Sequence, residues 1–201
     1  MSSSTSPITI VDIDTARGWL DAVEAALIAT AMGKADVSAT TSAGHGLAAD
    51  DALAGRAALG AKFLAVGTPR TLGLVATGAL AAKVLTAQTA YAGPRELRIF
   101  EEDPTAASAM TTALARNPPA ARATSLREAC ACDIVVAAGP ITIRREWIRA
   151  GTLVTALDHT VILEPALLAA AVVYDEARLA AVAAGLIDGR TLDEITILLP
   201  A

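Results

Sequence analysis

Residues 71–102 read TLGLVATGALAAKVLTAQTAYAGPRELRIFEE, and the rest of the predicted structure is built around this stretch. Its apolar and glycine pattern predicts a strand at 72–76, a turn at 77–78, a helix at 79–90 and a second strand at 97–100. The acid Glu101 follows the second strand directly. A strand, a glycine turn, a helix and a strand that ends on an acid together form the opening of a dinucleotide-binding βαβ unit.

Strand and helix patterns alternate on both sides of this unit. Further helices are predicted at 16–32, 51–66, 104–116, 143–148, 164–170 and 176–184, and further strands at 8–13, 123–124, 133–137, 152–157, 172–174 and 195–199. Ser125 and Glu128 have the spacing of a capping box for one more short helix. This alternation predicts an α/β protein with a Rossmann-like doubly wound parallel sheet. The predicted organisation is a disordered tail at 1–6, a reduced strand–helix annex at 7–48 and the Rossmann-like domain at 49–201.

Composition and charge narrow the classes of function. The chain is 54% hydrophobic but only 3% aromatic, so its core must consist of Ala, Val, Leu and Ile, which suits helices packed on a parallel sheet. A net charge of −5 without a run of Lys or Arg argues against nucleic acid as a partner. Cys130 and Cys132 are expected to be small buried apolar residues rather than a metal site. With neither a signal peptide nor a membrane-spanning segment in the sequence, we expect a soluble cytoplasmic protein.

The glycine fingerprint of the turn is altered. The pattern G-x-G-x-x-A occurs here as ATGALA at 76–81, so Ala76 replaces the first glycine. If the backbone there has a positive φ, alanine costs about 1 kcal/mol. Thr77 and Gly78, at the start of the helix, could still hold an anion, or the unit could be a scaffold that no longer binds a dinucleotide. Glu101 could accept a ribose hydroxyl, which favours NAD over NADP, or it could simply cap the next helix.

Five segments, in order, resemble the ornithine cyclodeaminase/μ-crystallin family. They are RAA at 56–58 with AKFLA at 61–65 (the RTAA helix), LGLVATGALA at 72–81 (the GTGxQA turn), DIVV at 133–136 (the aDIvv strand), GTLVTALD at 151–158 with Glu164 (GTHINAVGAD…REL), and GRTLDEIT at 189–196 (the GRxsxdEIT ending). The similarity covers roughly residues 49–199.

The resemblance implies an activity and roles for particular residues. Members of the family use bound NAD(P) to oxidise an amino acid to an imine, or to reduce an imine or keto acid. The match implies that Ala76, Thr77, Gly78 and Glu101 contact the cofactor. It also implies that Arg56 binds the substrate carboxylate and that Asp158 is the acid/base on the substrate amine. Leu153 and Thr155 stand where the family has His and Asn, and the segment before Asp158 is two residues shorter.

Each candidate also has a structural interpretation. Asp158 could belong to a solvated loop, and Arg56 could be a surface arginine of its helix. The resemblance further implies that residues 7–48 are a remnant of the substrate and dimerisation domain. Most of the sheet before the RTAA-like helix, and the final helix of the family, are expected to be missing.

Two hypotheses of function follow from these features. The first is an accessory protein of a biosynthetic pathway that binds a peptide or a small amino-acid-like ligand. The second is a minimal NAD-dependent cyclodeaminase or imine/amino-acid oxidoreductase. The annex is too small to have a core of its own, so we expect it to pack on the Rossmann-like domain or on another subunit of a homo- or hetero-oligomer.

Overall fold

The computed structural model of the chain describes residues 13–34, 48–91, 93–114, 120–189 and 194–200. Within these ranges lie seven α-helices and nine strands. The helices are α1 (Ile13–Ala31), α2 (Ala49–Leu64), α3 (Leu80–Tyr91), α4 (Pro104–Leu114), α5 (Leu126–Cys130), α6 (Pro165–Ala169) and α7 (Glu176–Ala183). The strands are β1 (Thr71–Val75), β2 (Glu96–Phe100), β3 (Ala120–Ala123), β4 (Ile134–Ala137), β5 (Thr142–Ile143), β6 (Leu153–Ala156), β7 (Ile162–Leu163), β8 (Ala171–Tyr174) and β9 (Ile195–Leu198).

Seven of these strands form the main sheet, in the order β3-β2-β1-β4-β6-β9-β8. Every neighbouring pair is parallel. β1 lies between β2 and β4, so Leu72 is paired with Leu97 on one side and with Ile134 on the other. The chain therefore changes its direction of winding at β1, and the carboxyl end of β1 is the point where such sheets bind ligands. The predicted Rossmann-like doubly wound sheet is confirmed.

Small residues allow the layers to approach closely. The β1 residue Gly73 has no room for a side chain, because a Cβ there would lie 2.1 Å from the carbonyl oxygen of Ala129 in α5. Gly60 of α2 similarly faces Leu198 of β9, whose Cδ2 would lie 2.8 Å from an added Cβ. α2 buries Ala54, Ala57, Ala58 and Ala61 among its neighbours. The alanine-rich composition thus serves a tight helix-on-sheet core.

Helix α1 packs against α2, α3 and α7. Its apolar face carries Trp19, Leu20, Val23 and Leu27, all of them buried. The annex therefore buries its helix on the Rossmann-like domain. Of the strand predicted at 8–13, residues 8–12 lie outside the described residues and Ile13 begins α1. The tail predicted at 1–6 also lies outside them.

The helix predicted at 143–148 is wrong. Thr142–Ile143 is strand β5, which pairs in parallel with β7 in a second, two-stranded sheet, and a single 3-10 turn follows at Arg145–Trp147. The Glu164 carboxylate stabilises this arrangement by accepting the backbone N–H of Arg145 at 2.8 Å. The third strand of the main sheet lies at Ala120–Ala123, three residues before the predicted start. The capping box of Ser125 and Glu128 is confirmed.

Candidate functional site

The turn after β1 has the backbone conformation of a glycine turn, although its first position is alanine. Ala76 has a φ of 51°, in the left-handed region, and Gly78 has the same φ. The Ala76 N–H donates to the carbonyl oxygen of Phe100 at 2.8 Å, which links the turn to the end of β2. A left-handed alanine costs about 1 kcal/mol relative to glycine. The turn therefore keeps the backbone conformation of a glycine turn, and Ala76 is strained in it.

Glu101 lies against this turn. Its Oε1 accepts the backbone N–H of Gly78 at 2.9 Å. Burial raises the pKa of the Glu101 carboxyl, although the hydrogen bonds from the Gly78 and Thr77 amides oppose the rise. The hydroxyl of Thr77 is buried and has no hydrogen-bond partner among the residues that the structure describes. The amides that precede helix α3 thus bind an anion that the chain itself supplies.

These residues do not fit a dinucleotide as they stand. In a Rossmann fold the amides of the glycine turn face the pyrophosphate, and the acid after β2 accepts from the ribose. Here the acid has taken the amide of the turn, since Glu101 is bonded to Gly78. The carboxylate and a phosphate would compete for the same donor.

Asp158 lies just beyond the carboxyl end of β6. Its Oδ2 accepts the Gly139 N–H at 2.8 Å, and its Oδ1 accepts the Thr160 N–H at 2.8 Å and also bonds the Thr160 hydroxyl. Burial by itself would raise the pKa of Asp158, but these hydrogen bonds and one from the Val161 amide outweigh it and hold the pKa below its ordinary value. An acid/base catalyst at neutral pH needs a raised pKa and an open oxygen. The surroundings of Asp158 suit a structural carboxylate.

Arg56 is not a surface residue of its helix, because only 5% of it is exposed. Its Nη2 donates to the backbone carbonyl of Leu199, at the end of β9. Its Nε and Nη1 are buried and have no partner within the described ranges. Burial lowers the pKa of Arg56, while the negative charges of Glu176 and Asp175 oppose that shift. Arg56 is thus a buried cation, two of whose nitrogens have no hydrogen-bond partner among the described residues.

The candidate residues lie along one edge of the sheet but form no single cluster. β1, β4, β6 and β9 are consecutive neighbours, so the edge carries the turn, then the loop after β4, then Asp158, then Arg56 with Leu199. A Cβ on Gly139, which binds Asp158, would lie 3.8 Å from the Cβ of Ala76, so that loop touches the turn. Arg56 lies at the far end of this row.

Sequence reasoning missed the partners of these side chains. Gly139, the partner of Asp158, and Leu199, the partner of Arg56, were not singled out as parts of a site. Gly139-Pro140 directly after an apolar strand is a turn signal that could have identified the first of them. No sequence signal identifies a backbone carbonyl such as that of Leu199 as the partner of an arginine.

The two cysteines and the possible metal ligands of the described residues form no further site. Cys130 and Cys132 are free and buried. Burial raises the pKa of Cys130 to about 12 and that of Cys132 to about 11, so both thiols are neutral. No group of three or more His, Cys, Asp or Glu side chains in the described part of the chain could hold a metal ion. Within the same ranges, no helix has the length and apolar character needed to cross a membrane.

The parallel sheet, with a glycine turn at the point where its winding reverses, defines the class of Rossmann-like α/β domains. The sequence profile of the ornithine cyclodeaminase/mu-crystallin family matches residues 52–198, and the chain belongs to this family. A search of curated proteins by sequence finds no match.

Solved structures give the same fold. An archaeal alanine dehydrogenase dimer with bound NAD aligns with a TM-score of 0.78 at 17% identity, over 96% of this chain and 87% of that one. The Thermococcus litoralis Δ1-pyrroline-2-carboxylate reductase, in complex with NADH and L-proline, aligns with a TM-score of 0.78 at 14% identity, over 96% and 89%. A lysine cyclodeaminase structure that describes recognition of L-lysine, L-ornithine and L-2,4-diaminobutyric acid aligns with a TM-score of 0.78 at 15% identity, over 96% and 83%. At these identities the likeness shows the fold alone.

Proposed function

We propose that this protein binds a small amino-acid-like ligand through its carboxylate and does not catalyse the chemistry of its family. The observation that carries the proposal is Arg56, a residue that is only 5% exposed and whose Nε and Nη1 have no partner within the described ranges. A buried donor without a partner costs about 1–3 kcal/mol, and more when it is charged. A ligand carboxylate that accepts from one of these nitrogens removes part of that cost.

Two features support a binding role over catalysis. Both oxygens of Asp158 are hydrogen-bonded, and its pKa is held low, so it is a poor proton donor or acceptor at neutral pH. The turn that would hold a nicotinamide cofactor is bonded to Glu101. Ligand binding without turnover is the role of an accessory protein, which would act beside the enzymes of a biosynthetic pathway.

Calorimetric titration of the full chain tests this function. We expect L-proline, L-ornithine or a related amino acid to bind, and the matched decarboxylated amine (pyrrolidine or putrescine) to bind at least ~10-fold more weakly, because the amine lacks the group that Arg56 recognises. A short peptide with a free C-terminal carboxylate is the third probe. If it binds tighter than any free amino acid, the ligand is a peptide. Equal affinity for amino acid and amine contradicts the proposal.

A second candidate is a minimal NAD-dependent oxidoreductase of amino acids or imines. It is favoured by the left-handed glycine turn at the switch point and by related folds whose structures contain NAD or NADH. It requires Glu101 to leave the Gly78 amide. Titration with NADH, followed by nicotinamide fluorescence, separates the two candidates. Micromolar binding favours the oxidoreductase, and absence of binding at ~1 mM excludes it.

We further propose that the protein is a cytoplasmic homodimer. One related fold is described as a dimer, and α1 leaves Ile13 and the following segment leaves Met32 exposed, at 42% and 54%. A heteromeric partner is the alternative. Size-exclusion chromatography with light scattering on the purified chain distinguishes them, since a homodimer forms without any partner and a clean monomer contradicts self-association.

A further inference from the structure

We propose that Glu101 acts as an internal anion, which fills the phosphate position of the glycine turn and thereby keeps the domain from binding a dinucleotide. This inference concerns the opposite end of the site from Arg56 and does not depend on the amino-acid ligand.

The geometry of the turn defines an anion position. Helix α3 begins at Leu80, whose N–H is bonded to the carbonyl of Thr77 at 3.0 Å. The Gly78 N–H lies ahead of the helix and is therefore free of any bond within it. This amide lies at the positive end of the α3 dipole, where a negative charge is stabilised. The Glu101 Oε1, 2.9 Å from the Gly78 nitrogen, is that charge.

The turn itself remains shaped for a phosphate. Ala76 and Gly78 both have the left-handed φ that brings backbone amides close to an anion. The buried hydroxyl of Thr77, in the same turn, has no partner in the part of the chain that the structure describes. The donors of a phosphate site are thus present, and the carboxylate occupies one of them. Glu102, which follows Glu101, adds a second negative charge close to the Glu101 carboxylate.

The two roles open to Glu101 predict opposite effects of removing it. If its carboxylate accepts from a ribose, a variant without it binds NADH more weakly and binds inorganic pyrophosphate, which has no ribose, as before. If it is an internal anion, the same variant binds both ligands more tightly. The sign of the change in affinity therefore separates the roles without any assumption about catalysis.

The experiment compares wild type with Glu101→Ala and Glu101→Gln, using the full chain and two probes, NADH and inorganic pyrophosphate. Glu101→Gln removes the charge but keeps an oxygen that can accept from Gly78. It therefore keeps the test possible if the alanine variant does not fold. The matched control is Glu102→Gln, which changes the net charge equally at an exposed neighbour. Circular dichroism verifies that each variant is folded.

We expect wild type and Glu102→Gln to bind both probes weakly, and Glu101→Ala to bind each at least ~10-fold more tightly, the effect of freeing one charge-assisted hydrogen-bond donor. Glu101→Gln should lie between them. Three outcomes overturn the inference. They are a loss of NADH affinity in Glu101→Ala, an equal gain in Glu102→Gln, and folded Glu101 variants that bind neither probe better than wild type does.

Discussion

The Asp158 carboxylate accepts the Gly139 N–H at 2.8 Å, and this bond joins the loop after β6 to the loop after β4 across the ligand edge of the sheet. Because Gly139 also approaches Ala76, the bond supports the glycine turn indirectly. Asp158 is thus a carboxylate that holds two loops in place. Each of its oxygens accepts at least one hydrogen bond from the protein, which accounts for the carboxylate at this position without a role in proton transfer.

We predict that Asp158→Asn lowers the free energy of unfolding at neutral pH by about 1 kcal/mol, because the charged acceptor is lost. The lowered pKa of Asp158 sets the pH dependence. Its contribution is fully present above the unfolded value of 3.8 and is lost as the pH falls through the lower folded value. The free energies of unfolding of wild type and variant, measured with urea, should therefore become equal as the pH is lowered. Glu146→Gln, at an exposed site, is the control and should have the same free energy of unfolding as wild type at each pH. A difference between wild type and Asp158→Asn that does not change with pH contradicts the prediction.

Much of the fold could be predicted from sequence, because strands and helices long enough for periodicity alternate along the chain. The 71–102 stretch gives the central strands and helix within a residue or two. The failure at 143–148 has a physical cause. Strands of two residues, such as Thr142–Ile143, are too short for any pattern, and their pairing with Ile162–Leu163 is set by tertiary context.

The site was less predictable, because the sequence identifies residue types but not their partners. Arg56 has the sequence context of a surface helix residue, yet α1 and α7 both contact α2, and Arg56 is buried. Glu101 and Gly78 were each identified as candidates. Their bond depends on which way a flexible side chain turns, which no spacing encodes.

Replacing Ala76 with glycine should stabilise the protein. The φ of 51° is strained for alanine and natural for glycine, so we expect Ala76→Gly to raise the free energy of unfolding by about 1 kcal/mol. Ala79→Gly is the matched control, since Ala79 lies in the same turn without a positive φ, and this change should lower stability by roughly 0.5–1 kcal/mol. Urea unfolding measures both. Equal effects of the two substitutions would show that the turn is unstrained.

Gly73 should tolerate no side chain. A Cβ there would lie 2.1 Å from the Ala129 carbonyl oxygen, and a backbone atom inside a sheet-and-helix core cannot move away cheaply. We expect Gly73→Ala to cost at least about 3 kcal/mol or to prevent folding. In contrast, Gly18→Ala, at an exposed position of α1 with nothing within 4 Å of the added Cβ, should stabilise by about 0.5–1 kcal/mol. Thermal unfolding compares them, and a Gly73→Ala protein as stable as wild type would refute the close packing of α5 on β1.

Arg56 should separate binding from stability. Methionine fills a similar volume without charge, so Arg56→Met removes two unpartnered nitrogens, but it also removes the bond to Leu199 and a cation near the buried Glu176, and we expect a loss of stability of about 1–3 kcal/mol. Affinity for the amino-acid ligand should fall ~10-fold or more, since a charge-assisted hydrogen bond to the ligand carboxylate is lost. Arg56→Lys keeps the charge without the planar fork and should recover only part of that affinity. Arg127→Met, at an exposed site in α5, controls for net charge. Calorimetry measures the affinity and urea unfolding measures the stability of the same samples. A folded Arg56→Met protein that binds the amino acid as tightly as wild type does would show that Arg56 does not bind the ligand carboxylate.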